Sequence, residues 1–157
     1  MMGSTISEFI SPSLITLKAA YDCQEDFFKH SFQALYLQEY VEASYLNKIV
    51  AREKEYPTGL VAAGLNIAIP HTDPQHIKKP FIAITQLATP LPFFVMGTTD
   101  ERVDVDWIFS LGVTQAENQI FLLQTLMSIF SHHERVEALK ALTSADDVFA
   151  FFNSVSL

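Results

Sequence analysis

Apolar residues recur along this chain at two spacings, and the change from one to the other predicts the order of its elements. From Asp22 onward Phe28, Phe32, Leu35 and Tyr36 recur at helical spacing, which predicts a helix running to about Leu37. Asp22 is placed to cap it, with Glu25 three residues on as in a capping box. A second helix is predicted over residues 41–54, with Tyr45, Leu46, Ile49 and Val50 on its apolar side. Tyr56-Pro57-Thr58-Gly59 then breaks it, because proline cannot continue a helix and pushes the residue before it away from helical ψ. Ahead of both, residues 1–13 are mixed and polar. Leu14, Ile15 and Leu17, which follow Ser11-Pro12-Ser13, predict a short strand.

The pattern beyond residue 64 is mostly that of strands. Ile67, Ala68 and Ile69 form a short apolar run that Pro70 ends by removing a ladder donor and fixing φ. Residues 81–87 are rich in β-branched and aromatic side chains and predict another strand. Residues 91–96 predict a separate short strand, entered through Pro90 and Pro92 and therefore suited to an edge. Residues 103–113 begin by alternating and become continuously apolar, as in a strand covered on both faces. Residues 116–130 are the clearest helix, with Ile120, Leu123, Leu126, Met127 and Phe130 as its stripe. Two short helices are predicted over 134–142 and 145–152, the second capped by Ser144 with Asp146 and Asp147 in its first turn. Strands interleaved with helices make an α/β protein.

Composition narrows the class. A chain of 157 residues with 49% hydrophobic residues and 13 Phe fits one domain over residues 1–157, able to bury roughly two-thirds of its unfolded surface. No apolar run approaches the roughly 18 residues of a membrane helix, and the N-terminus lacks a basic region followed by an apolar block. The expectation is a soluble protein that is not exported. Cys23 is the only cysteine, which rules out an intramolecular disulfide and fits a reducing compartment. The net charge of −8 argues against nucleic acid or an anionic membrane as the main partner and favours a basic protein.

Candidate chemistry centres on His71, which the pattern places at a strand's exit, held by a rigid element yet open to solvent. An imidazole with an ordinary pKa of about 6.5 is largely neutral and nucleophilic at neutral pH. A lone histidine after a strand is equally consistent with a turn residue bonded to nearby backbone. Arg52 falls at the end of the second helix, beside the loop that precedes the histidine strand; taken alone it reads as a solvated charge paired with Glu55 or Asp22. His71, Asp73 and His76 offer metal-ligand types, but their spacing crosses prolines and lacks the helical i, i+4 geometry that aims two rings at one ion. The five glycines are scattered, with no phosphate-binding loop and no Gly-x-Ser-x-Gly elbow. His30, His132, His133 and Trp107 are assigned to surface or packing, because no second chemical group is tied to them by spacing.

The run Ala51-Arg52-Glu53-Lys54-Glu55-Tyr56-Pro57-Thr58-Gly59, followed by Asn66-Ile67-Ala68-Ile69-Pro70-His71, resembles the enzyme IIA domain of the bacterial sugar phosphotransferase system, fructose/mannitol class. The resemblance covers most of the chain. It implies a mixed β-sheet flanked by helices on both faces and a cytoplasmic phosphocarrier that needs no cofactor or metal. His71 would accept a phosphoryl group at Nε2 from the phosphohistidine of HPr and pass it to a cysteine of an enzyme IIB component. Arg52 would donate to the phosphoryl oxygens, and Thr58 would add a hydroxyl or shape the loop. Many mannitol- and fructose-type members carry a second histidine where this chain has Gln119, a residue that donates to phosphate but takes no proton. That glutamine, and the Arg-Glu-x-Glu-aromatic-Pro-Thr-Gly run, look more like the galactitol branch. A regulatory module of the same fold that senses phosphate without passing it on is the alternative.

Overall fold

A computed structural model describes residues 6–98 and 100–154. Of the N-terminal segment expected to be mixed and polar, residues 1–5 therefore lie outside the described residues. Among the described residues, five strands form one sheet: β1 (Ile10–Ala19), β2 (Gly59–Ala62), β3 (Leu65–Ala68), β4 (Phe81–Phe94) and β5 (Arg102–Gly112). Their spatial order is β1-β4-β5-β3-β2. β1 runs parallel to β4 and β3 parallel to β5, while β4–β5 and β2–β3 are antiparallel. The sheet is mixed.

Helices α1 (Gln24–Leu37) and α2 (Tyr45–Glu55) cover one face, where Phe27, Phe28, Leu35, Tyr45 and Ile49 pack with Phe81, Phe93, Val105 and Ile108. Helices α3 (Ala116–Phe130), α4 (His133–Lys140) and α5 (Ala145–Ser154) cover the other, where Leu122, Leu126, Ile129, Phe130 and Phe152 pack with Ile67, Ile82, Ile84 and Phe109. Covering on both faces explains why β5 reads as continuously apolar.

Several boundaries differ from the pattern's expectation. α1 is capped by Cys23, whose extended backbone lets Sγ accept from the Asp26 N–H at 3.4 Å, not by Asp22. The carboxylate that reaches back is Asp26, which accepts from the Asp22 N–H at 3.3 Å, and not Glu25. α2 begins at Tyr45 and not at 41, because Val41 is fully buried and bridges to Ile77 while the Glu42 N–H donates to the His76 carbonyl at 2.9 Å. The separate edge strand expected over 91–96 is the second half of β4. Between the pairs Gln86–Trp107 and Leu91–Val105, β4 advances by five positions while β5 advances by two, and β1 pairs no further than Leu87. Pro90 and Pro92 thus lie where β4 has lost its neighbour on that side, which is where a strand tolerates them.

The apolar stripe of α3 is rotated from its expected place. Leu122, Thr125, Leu126, Ile129 and Phe130 are buried, whereas Ile120 and Met127 are exposed. A helix apolar on nearly every side does not specify its face by period alone. β2 was not anticipated at all. It forms a hairpin with β3 across Ala63 and Gly64, both at positive φ (48° and 92°), and Gly64 reaches that conformation without the steric penalty a side chain brings.

Candidate functional site

His71 sits where β3 leaves the sheet. Pro70 has no N–H to offer a neighbour, yet its carbonyl accepts from the Leu111 N–H at 2.9 Å, and His71 bridges to Leu111 of β5. The segment after β3 is therefore pinned to the interior strand, with the histidine half-buried at its end.

The ring is held by a chain of hydrogen bonds that starts in α2. Tyr45, Ile49 and Glu53 follow one another at intervals of four on the buried face of that helix, so Glu53 takes the third place of an apolar row and is only 4% exposed. Its carboxylate accepts the Thr58 N–H at 2.7 Å and the Thr58 hydroxyl at 2.9 Å. Thr58 is itself buried, and its Oγ1 accepts the Ile69 N–H at 3.1 Å. The Ile69 carbonyl then accepts from His71 Nδ1 at 2.8 Å. A carbonyl only accepts, so Nδ1 carries the proton and neutral His71 presents a lone pair at Nε2. The loop between Glu53 and Gly59 is tight: a Cβ on Gly59 would lie 2.6 Å from the Phe94 carbonyl oxygen, which explains the glycine there.

Arg52 stands in the last turn of α2, with its guanidinium 5.1 Å from the centroid of the Tyr56 ring. Its Nη1 donates to Asp73 Oδ1 at 3.0 Å, and its Nε is buried without an acceptor. Partial burial lowers the pKa of His71, the Ile69 carbonyl raises it, and of the two charges that act on the ring Arg52 lowers it and Asp73 raises it. The net direction is down, which leaves the ring neutral over more of the pH range. Burial pushes Glu53 the other way, up to about 7, against the two Thr58 bonds that favour its ionised form.

The structure thus brings Arg52, Thr58 and His71 into one neighbourhood. Thr58 has its hydroxyl engaged with Glu53 and Ile69. Gln119 lies in the first turn of α3, half-buried, on the helix that follows β5. Because β5 runs parallel to β3, the start of α3 and the exit of β3 lie toward the same end of the sheet. His76 is buried, with its Nδ1 2.8 Å from Ser44 Oγ. Among the described residues no three His, Cys, Asp or Glu side chains stand together as a metal site. No helix among them is long and apolar enough to cross a membrane.

Two participants were not recognised from the sequence. Glu53 falls in the last turn of the predicted second helix, where continuing the Tyr45, Ile49 row by four residues reaches it. Asp73 was weighed only as a metal ligand, and its pairing with Arg52 across 21 residues has no local signal.

A kit of one imidazole with a fixed tautomer and a guanidinium with an idle donor suits transfer of an anionic group to nitrogen, where alignment and charge stabilisation dominate. The family model for the phosphoenolpyruvate-dependent sugar phosphotransferase system, EIIA 2, matches residues 8–155. The galactitol-specific EIIA component of the phosphotransferase system of Escherichia coli (strain K12) is 32% identical over 94 residues, 60% of this chain and 62% of that protein. The match thus spans less than two thirds of that relative's length. The transcriptional regulator ManR of Bacillus subtilis (strain 168) is 28% identical over 143 residues, 91% of this chain and 20% of the regulator. Among solved structures, the complex of the mannitol enzyme IIA with phosphorylated enzyme IIB from Escherichia coli shares the fold, with a TM-score of 0.72 at 19% identity over 92% of this chain and 97% of that one.

Proposed function

This chain belongs to the EIIA 2 family of the phosphoenolpyruvate-dependent sugar phosphotransferase system, and from that premise we propose that it is a phosphocarrier whose acceptor is Nε2 of His71. The phosphohistidine of HPr supplies the phosphoryl group: its N–P bond breaks, the Nε2–P bond forms, and the released imidazole keeps the electron pair. A cysteine thiolate of an enzyme IIB component then attacks the phosphorus and returns the pair to Nε2. No proton has to leave His71, because Nδ1–H stays on the Ile69 carbonyl throughout. Arg52 donates to the phosphoryl oxygens, and its idle Nε supports that role. Thr58 acts through the loop it braces, and Gln119 donates to the phosphoryl group from the start of α3. The whole chain, residues 1–157, is read as one such domain working in the cytoplasm, and the likeness to the galactitol-specific component supports galactitol-type uptake.

The observation that carries this reading is the pinned tautomer, with Nδ1 bonded at 2.8 Å and a guanidinium acting on the same ring. Incubation with HPr phosphorylated on its histidine tests it. Wild type is expected to take up acid-labile label, His71→Ala none, and Arg52→Ala far less; wild type that stays unlabelled refutes it.

The similarity to ManR over most of this chain supports a second reading, in which phosphate on His71 controls another protein and is not passed on. Adding the IIB partner separates the two, since label that moves to a cysteine excludes a purely regulatory role.

A further inference from the structure

Asp73 stands two residues beyond His71, and its Oδ1 holds Arg52 Nη1 at 3.0 Å. The aspartate side chain is 61% exposed and the arginine 30%. Tyr56 lies against the same guanidinium, and Arg52 Nε is buried with nothing to donate to. The arginine is thus parked: one donor is committed to a carboxylate two residues from the acceptor histidine, and another, Nε, has no acceptor among the described residues.

We propose that Asp73 is a positioning residue that competes with the phosphoryl group for Arg52 and so sets how readily phosphorylated His71 gives that group up. The inference rests on the phosphocarrier reading above. A phosphoryl group bound at Nε2 brings about two negative charges and three acceptor oxygens close to the Asp73 carboxylate. Arg52 brings one positive charge to two anions, so the carboxylate either loses part of its counter-ion or, by keeping the Nη1 contact, withholds that N–H from the phosphoryl group. Either way the phosphorylated state is disfavoured relative to a chain with no charge at residue 73. Before phosphorylation the same contact keeps the guanidinium near the ring and spares it a search. The aspartate therefore helps the arginine wait and weakens the product. A carrier needs both effects, because a group that binds too well is not passed on.

The test is the equilibrium of phosphoryl exchange with HPr, read as the ratio of phosphorylated to free chain at a fixed ratio of phosphorylated to free HPr, for wild type, Asp73→Asn and Asp73→Glu. Asp73→Asn is expected to hold about threefold more phosphoryl group than wild type, the range that partly exposed charge pairs command, and to pass it to the IIB cysteine correspondingly more slowly. The gap should narrow in high salt. Asp73→Glu should return toward the wild-type ratio. A labelled wild type with an unchanged or smaller ratio in Asp73→Asn overturns this inference alone. A wild type that takes no label overturns the phosphocarrier reading and this inference with it. Because an exchange equilibrium is measured on folded, labelled protein, a loss of stability in the variant does not imitate the expected rise.

Discussion

Replacing Glu53 by glutamine removes a buried carboxyl group but keeps a carbonyl oxygen that can accept the Thr58 N–H. The consequence is a change in how stability depends on pH. Burial holds the Glu53 pKa at about 7 in the folded chain against an ordinary value of 4.5. A carboxyl group raised on folding contributes stability that is fully present below the unfolded value and is lost as pH rises through the folded one. Each pH unit in which the folded state keeps a proton that the unfolded chain has released is about 1.4 kcal/mol. The window from 4.5 to about 7 therefore amounts to on the order of 3 kcal/mol. His71 acts with the opposite sign, because its pKa is lowered on folding: its contribution is present above about 6.5 and lost as pH falls. The difference between wild type and Glu53→Gln cancels that histidine term and isolates the carboxyl. Urea denaturation at intervals from pH 4.5 to pH 8 is the assay. The variant should gain about 3 kcal/mol relative to wild type from the lowest pH to the highest, whatever offset separates the two at pH 4.5. Curves that run parallel within 1 kcal/mol, about a third of that gain, refute the assignment of Glu53 as a buried carboxyl of raised pKa.

Other outcomes follow from the same geometry. Thr58→Val keeps the shape but leaves the Ile69 N–H without an acceptor and Glu53 short of a donor. It should cost about 1–3 kcal/mol in urea denaturation and broaden or shift the His71 ring resonances in NMR. Gly59→Ala, whose Cβ would meet the Phe94 carbonyl at 2.6 Å, should destabilise by about 1–3 kcal/mol, read as a lower thermal midpoint. The imidazole of His71 should titrate below about 6.5 in an NMR pH series, and label uptake should stay flat above that pH and fall below it. On α3, Leu126→Ala should lose about 2–5 kcal/mol, whereas Ile120→Gln on the exposed face should stay within about 0.5 kcal/mol; equal losses would restore the stripe that the spacing alone proposes.

Much of the fold was legible because it rests on local signals. The breaker Tyr56-Pro57, the stop at Pro70 and the cap at Ser144, whose Oγ accepts the Asp147 N–H at 3.1 Å, act within a few residues. What escaped depends on partners distant in sequence. Val41 is drawn out of a predicted helix by its bridge to Ile77, and β2 exists because it pairs with β3 and meets Val95 across Gly59. The face of α3 was illegible for a different reason: apolar residues nearly surround it, and only the sheet decides which of them are covered. In the site, His71 and Arg52 were legible as residue types at a strand exit and a helix end. What no spacing announces is that Arg52 pairs with Asp73 rather than with Glu55 or Asp22, and that Thr58 joins Glu53 to Ile69.

Glu53 shows why the site and the stability of the fold are not independent. A buried carboxylate is unfavourable at neutral pH unless its hydrogen bonds are made, and here both come from Thr58. An apolar residue in that row of α2 would pack against Ile49 without any such penalty, but it would leave the Thr58 N–H and hydroxyl without an acceptor. Thr58 would then be free to turn, the Ile69 peptide would lose its brace, and the carbonyl that fixes the His71 tautomer would be held only by the strand. The chain thus accepts a destabilising group in the interior at neutral pH, and what it obtains is an imidazole whose free lone pair is held on the same nitrogen. The fully buried apolar residues of that face, Ile49 and Phe93 among them, supply the margin that makes this tolerable.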